Sequence, residues 1–302
     1  MNISLSKQTP MVINLIPRHR RKEKEKAVVV VGATGTGKSR LSIDLATRFD
    51  AEVINSDKMQ VYTGLDVVTN KVTEDERRGV PHHLLGFADP AADFGAREFV
   101  RHASAAADDI TARGRMPIIA GGSNSFVKAL VVDDHYFRSR YDYCFLWVDV
   151  AAHVLGPRVS GRVDRMVGSG LVEEARGFFS PAGDYSRGAR RAIGVPELDG
   201  YFRSEGGGGG GGYRERLLEK GIDQIKFNTR ALAGRQRQNI MRLAEHLERR
   251  MHRLDGERPV EGLSARIVAQ FLREDHVDFV SAIAAGPNRP AAGQLITSAV
   301  GR

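Results

Sequence analysis

Cysteine is nearly missing from this 302-residue chain: Cys144 is the only one. A single thiol excludes an internal disulfide framework and any cysteine-built zinc site. It lies in YCFLWVDV, which reads as a strand, so it is expected to be a small buried hydrophobe rather than a nucleophile. Long apolar runs are missing as well. The longest, AVVVVGA, falls far short of the roughly 20 residues that cross a bilayer, and it reads as a buried strand. No membrane partner is expected. No N-terminal stretch supplies a secretory h-region, no internal repeat is visible, and no acidic residue precedes Glu23.

What is present suits a globular chain. Apolar residues make up 41% and charged residues 27%, enough to build one large α/β domain or two modest ones. The net charge of +8 is unevenly spread: residues 1–26 carry +5, residues 186–253 carry +7, and the remainder sums to −4. The basic C-terminal region fits either nucleic acid or a multiply charged small molecule. The basic arm at 1–26 fits an organelle transit peptide or a disordered extension equally, leaving plastid and cytoplasm both open.

From Ala27 the chain alternates strand and helix. AVVVV is a continuous β-branched run, as in a parallel strand buried on both faces. KSRLSIDLATRF places Leu41, Leu45, Ala46 and Phe49 on one helical face; AEVINS, RMPIIAGGS and CFLWVDV read as further strands. The expected fold is α/β: a P-loop NTPase-like, mostly parallel sheet flanked by helices, with a helical C-terminal portion from about residue 151. There, HVLGPRVSGRVDRMVGSGLVEEARGFF and GYRERLLEKGIDQ…HLERRMHRL read as two helical stretches around RRAIGVPELDGYF. The seven glycines at 206–212 read as a flexible linker, SARIVAQFLRED as a weak helix, and residues 276–302 as a mobile tail.

The strongest chemical signal is GATGTGKS, Gly32-Ala33-Thr34-Gly35-Thr36-Gly37-Lys38-Ser39. It fits G-x-x-x-x-G-K-[ST] directly after a strand and before a helix. The glycines let backbone N–H groups turn toward phosphate oxygens, the helix N-terminus adds partial positive charge, and Lys38 adds a full one. The Ser39 hydroxyl is placed to ligate the Mg²⁺ that accompanies a diphosphate. The loop implies a di- or triphosphate ligand without implying that its phosphate bond is broken. A kinase or ATPase needs an acid at a later strand end, for which both Asp57 and Asp149 qualify. Asp57, just past the second strand, belongs to the carboxyl edge where ligands bind; it reads as a general base or as a helix cap.

The segments SDKMQVYTGLDVVTNKVTEDE, PHHLLG, AGGSNSFVKAL, RVDRMVGSGLVEEAR, RRAIGVPEL and IKFNTRALAGRQ occur in the order found in the isopentenyltransferases, and the chain resembles the plant adenylate isopentenyltransferases over roughly residues 27–275. The tRNA dimethylallyltransferases share the loop and the Asp motif more distantly. The resemblance implies that the loop holds dimethylallyl diphosphate and that AMP, ADP or ATP is the acceptor. It also implies Asp57 as the base, Ser123 as a hydroxyl on the leaving oxygen, and Arg191 (with Arg190 as rival) on the pyrophosphate. Gln60 follows the Asp motif, and Lys71, Lys226, Arg230, Arg235 and Arg237 are candidates for the acceptor's phosphates. Arg230 and Gly234 depart from the family pattern. A monomer is expected. tRNA is the less favoured acceptor, since one cysteine cannot build the zinc finger many eukaryotic tRNA enzymes carry. A P-loop kinase is the alternative of another class. His82 and His83, adjacent in a strand or loop, point apart and are expected at the substrate rim or in packing rather than on a shared metal.

Overall fold

The computed structural model describes residues 24–206, 211–247 and 251–284. Most of the basic arm, four of the seven glycines and the last part of the tail lie outside the described residues.

Six parallel strands form one sheet: β1 (Glu25–Gly32), β2 (Ala51–Asn55), β3 (His82–His83), β4 (Met116–Gly121), β5 (Tyr141–Asp149) and β6 (Met251–Asp255), in the order β3-β2-β4-β1-β5-β6. The valine run explains the centre. Val28 and Val30 enter one core and Val29 and Val31 the other, all four without exposed surface. Burial of each such side chain contributes roughly 1.5–3 kcal/mol. On one face, α1 (Lys38–Arg48) supplies Leu41 and Leu45, and the C-terminal helix supplies Val268 and Phe271. On the other, after the short α2 (Glu74–Arg77), come α3 (Ala96–Ala112), α4 (Asn124–Lys128) and α5 (His135–Arg140). There Phe99 stacks on Phe126 with centroids 4.5 Å apart.

The helical portion is an insertion between β5 and β6. It holds α6 (Ala152–Gly168), α7 (Leu171–Gly177), three 3-10 turns (Gly188–Arg191, Pro196–Leu198 and Ser204–Gly206), α8 (Asp199–Arg203) and the long α9 (Gly211–Leu247), which packs along α6. The chain then returns to the sheet and ends its described part in α10 (Glu261–Ala284). No described helix is long and apolar enough to cross a membrane.

Several elements differ from the sequence expectation. The first helical stretch is two helices, parted where Gly170 adopts φ +95°. The second stops at Leu247, and MHRLD is strand β6, with Leu254 opposite Val148. Only Leu254 of that strand is buried, so an edge strand of mixed polarity carried no readable period. Strand β3 is two residues long and exists only through its pairing to Val53 and Ile54. Gly206 ends a 3-10 turn, Gly211 and Gly212 open α9, and α10 runs past residue 276.

Candidate active site

The carboxyl ends of β1, β2 and β4 converge on one place. Gly32 closes β1, and the loop then turns through Thr36, whose hydroxyl donates to Ala33 O at 2.9 Å. Gly37 caps α1 at φ +90°, a left-handed conformation that a side chain would strain, and so turns the first N–H groups of the helix toward the loop. Two remote elements brace this loop. Gln236 of α9 accepts from Thr34 N at 2.8 Å and donates to Gly122 O at 2.9 Å; Arg162 of α6 donates to Thr34 Oγ1 at 2.7 Å.

Asp57 follows β2, and its turn is fixed on both sides. Asn55 Oδ1 accepts from Asp57 N at 3.1 Å, and Asp57 Oδ1 accepts from Met59 N at 3.0 Å. The Gly121-Gly122 turn at the end of β4 lies against this segment. A Cβ on Gly121 would come within 2.3 Å of the Ser56 carbonyl carbon, so only glycine lets the two strand ends approach. A small cavity is lined by Lys38, Ser39, Asn55, Asp57, Gln60 and His82 among others. It adjoins a cleft of 720 Å³, the two sharing Val72 and Leu85. Burial pushes the Lys38 ammonium down to about 8; Asp57 pulls it up and Arg162 opposes that pull. Arg162 itself is held below its usual value, first by burial, with Asp57 acting in the other direction. Two cations and one carboxylate thus surround the loop, a charge set that favours an incoming polyanion. The Ser39 hydroxyl is a hard oxygen donor beside the loop, which suits Mg²⁺.

The structure brings together the loop, Lys38, Ser39, Asp57 and Gln60. Gln60 donates its amide to Thr69 O and Asn70 O at 3.1 and 3.0 Å, tying the small cavity to the cleft wall. Ser123 is adjacent: its Oγ accepts from Lys58 N at 2.7 Å, and the hydroxyl keeps its own proton to donate. His82 lines the small cavity while His83 bonds Glu52 at 2.6 Å, so the two side chains point apart, as expected.

Other candidates are occupied elsewhere. Lys71 lines the cleft, but its ammonium donates to Tyr62 O, Gly64 O and Asp66 Oδ1 at 2.5–2.6 Å, which uses all three protons. It staples the 62–71 loop. Arg191 donates to Gly188 O and Tyr62 OH, both at 3.2 Å, and Arg190 to Phe178 O at 3.1 Å; neither lines the small cavity or the cleft. Lys226 pairs with Asp164 at 2.6 Å, and Arg230 donates to Ser160 Oγ at 3.0 Å. Arg235 is exposed, while its neighbour Gln236, one step round the helix, is the residue that enters the site. Arg237 and Arg253 both bind Asp149, at 2.8 and 2.5 Å for the shortest contacts, and hold its carboxyl below the usual range although burial opposes this. That pairing takes both Asp149 oxygens.

Arg162 and Gln236 were not singled out from the sequence. A signal existed for each. Arg162 borders the buried stripe Leu155, Val159, Val163, and Gln236 sits in the buried stripe Thr229, Ala233, Ile240. A polar residue within an apolar helical seam is costly unless bonded, so it points to a partner across the seam.

Comparison with known proteins matches the chain to the IPP transferase family model over residues 60–137 and 132–242. It is 57% identical over 255 residues to adenylate isopentenyltransferase 5, chloroplastic, of Arabidopsis thaliana, covering 84% of this chain and 76% of that one. Adenylate isopentenyltransferase 3, chloroplastic, of the same plant is 49% identical over 289 residues, 88% and 86% of the two chains. Among solved structures, the full-length tRNA isopentenylpyrophosphate transferase of Bacillus halodurans superposes with a TM-score of 0.68 at 25% identity, covering 86% of this chain and all of that one. A eukaryotic dimethylallyltransferase acting on tRNA gives 0.65 at 25% identity, over 86% and 80%. With a family model spanning most of the chain and relatives at this identity, the protein belongs to the IPP transferase family.

Proposed function

We propose that this protein transfers the dimethylallyl group of dimethylallyl diphosphate to N6 of the adenine of AMP, ADP or ATP and releases pyrophosphate, the reaction that opens cytokinin synthesis. The observation that carries the reading is the pairing of Lys38 and Asp57 in one small cavity beside an open cleft. An ammonium and loop N–H groups serve a diphosphate leaving group; a carboxylate across from them serves an incoming amine.

The donor's diphosphate sits on the loop, held by Lys38 and the N–H groups that open α1, with Arg162 alongside. The C1–O bond of the allyl group breaks, its electron pair leaves with pyrophosphate, and the N6 lone pair forms the new bond to C1. Asp57 takes the N6 proton. Preorganised donors at the departing oxygens lower the barrier where charge develops. Ser39 is the residue that would hold Mg²⁺, which when bound would add positive charge to the leaving group. Ser123 can donate its hydroxyl toward the same oxygen. Arg191 and Lys226 are engaged elsewhere, so their part in binding is indirect.

A P-loop kinase fits less well. Of the two carboxylates such an enzyme could offer to its metal, Asp149 is taken by two arginines, which leaves Asp57 alone for that role. The tRNA reading rests on the structural neighbours, at 25% identity against 49–57% for the adenylate enzymes. Location in a plastid agrees with relatives whose names carry "chloroplastic", although one relative is named as mitochondrial.

The test is product analysis by mass spectrometry. Protein, Mg²⁺ and dimethylallyl diphosphate are mixed separately with AMP, ADP, ATP and unmodified tRNA. A C₅H₈ gain on a free nucleotide supports the reading. A gain on tRNA alone moves the function to the tRNA branch, and phosphate release from ATP without prenyl donor moves it to a kinase or ATPase.

A further inference from the structure

The 720 Å³ cleft carries four cations, and three have work that can be named. Lys71 spends its protons on the 62–71 loop, Arg77 pairs with Glu74 at 2.6 Å, and Arg162 holds Thr34 of the phosphate loop. The side chain of the fourth, Arg165, makes neither an ion pair nor a hydrogen bond among the described residues. It lies three positions after Arg162 on α6, hence on the same helical face and about 4.5 Å further along the axis. Met166 and Ser169 continue that face, and all four residues line the cleft. One wall therefore runs from the phosphate loop outward as arginine, arginine, methionine, serine.

On the proposed reading, the donor occupies the loop end and the acceptor's adenine must bring N6 to Asp57. The ribose and phosphates then extend into the cleft. We infer that Arg165 is the acceptor-specificity residue, binding the phosphates beyond the first and so favouring ADP and ATP over AMP. Three features support this. Arg165 lines the cleft beside Arg162. It pairs with no carboxylate among the described residues. The carboxylates that share the cleft, Asp66, Glu74 and Glu76, are engaged with Lys71, with Arg77 and with the Thr73 backbone N–H respectively. Arginine can grip a terminal phosphate with two parallel hydrogen bonds, a geometry lysine lacks.

The experiment is steady-state kinetics at saturating dimethylallyl diphosphate with AMP, ADP and ATP, for the unaltered protein, Arg165→Gln and Arg165→Glu. Loss of one charged hydrogen bond predicts that Arg165→Gln raises KM for ADP and ATP by roughly tenfold or more. KM for AMP and kcat for all three should stay within about twofold, and Arg165→Glu should widen the gap through repulsion of the added charge. Circular dichroism melting and calorimetric titration with dimethylallyl diphosphate check that fold and donor site are intact. An equal rise of KM for all three acceptors, or no change for any, overturns the assignment while leaving the transferase reading standing. No prenylated nucleotide from the unaltered protein would overturn that reading first, and this inference with it.

Discussion

Gln236 and Thr34 are 202 positions apart, and the Gln236 side chain accepts the Thr34 backbone N–H at 2.8 Å. The same amide donates to Gly122 O, so one buried residue of α9 ties the phosphate loop to the turn behind Asp57. The phosphate-loop and Asp57-bearing halves of the site are thereby tied together by a helix from neither half.

Replacing Gln236 by leucine should remove both bonds and leave a backbone N–H and a carbonyl unpaired in the interior. Each such group costs about 1–3 kcal/mol. The expected outcome is a lower midpoint of unfolding together with weaker binding of dimethylallyl diphosphate. Loss of stability with unchanged donor affinity would show that the loop holds its shape without the clasp.

The two strand-end carboxylates should respond differently to substitution. Asp57→Asn keeps shape and removes the base, so kcat should fall by about 10² to 10⁴ while donor affinity changes little. Asp149→Asn unties Arg237 and Arg253 and should act on stability. Its carboxyl is held below the usual range, so its contribution is present above the unfolded value and is lost as pH falls through the folded one. Thermal melts from neutral to acid pH, beside single-turnover kinetics, separate the two.

Lys38 sets a pH dependence. Its pKa is lowered from 10.5 to about 8. Between these values the unfolded chain keeps a proton that the ligand-free protein has shed, so this group makes stability rise with pH across the window. On the proposed reading diphosphate binding has the opposite sign, because it uses the ammonium. Donor affinity should fall above about pH 8 by up to about tenfold per pH unit, with proton uptake on binding. Calorimetry in buffers of different ionisation enthalpy measures both. Lys38→Arg keeps its charge and should abolish the dependence; a persisting slope in that variant would place the titration on another group.

Glu174 of α7 accepts three backbone N–H groups of the cleft wall, from Asp66, Val67 and Val68, at 2.6, 3.2 and 2.7 Å. Glu174→Ala should loosen the 65–71 segment, raising acceptor KM more than donor KM and costing about 1–3 kcal/mol of stability. Hydrogen exchange confined to that segment would report the loosening, and unchanged protection there would refute it.

What local sequence encodes was readable. The valine run, the glycine loop and the helix after it follow from side-chain branching, from glycine's freedom and from 3.6-residue spacing, all of which act within a few residues. Placing Asp57 at the carboxyl edge needed only the rule for parallel sheets, and the structure puts it in the same cavity as Lys38. Strand β6 and the two-residue β3 were not readable, since each is a strand only because a neighbour pairs with it. The cations escaped for the same reason. Lys71, Arg162, Arg165, Arg191, Arg235 and Arg237 are alike in sequence, and what separates them is which partner lies within about 3 Å. Sequence by itself determined the loop, the sheet and the family's ordered segments. Tertiary structure alone decided which charges face the cleft, because a long side chain's role depends on contacts made by residues far away in the chain.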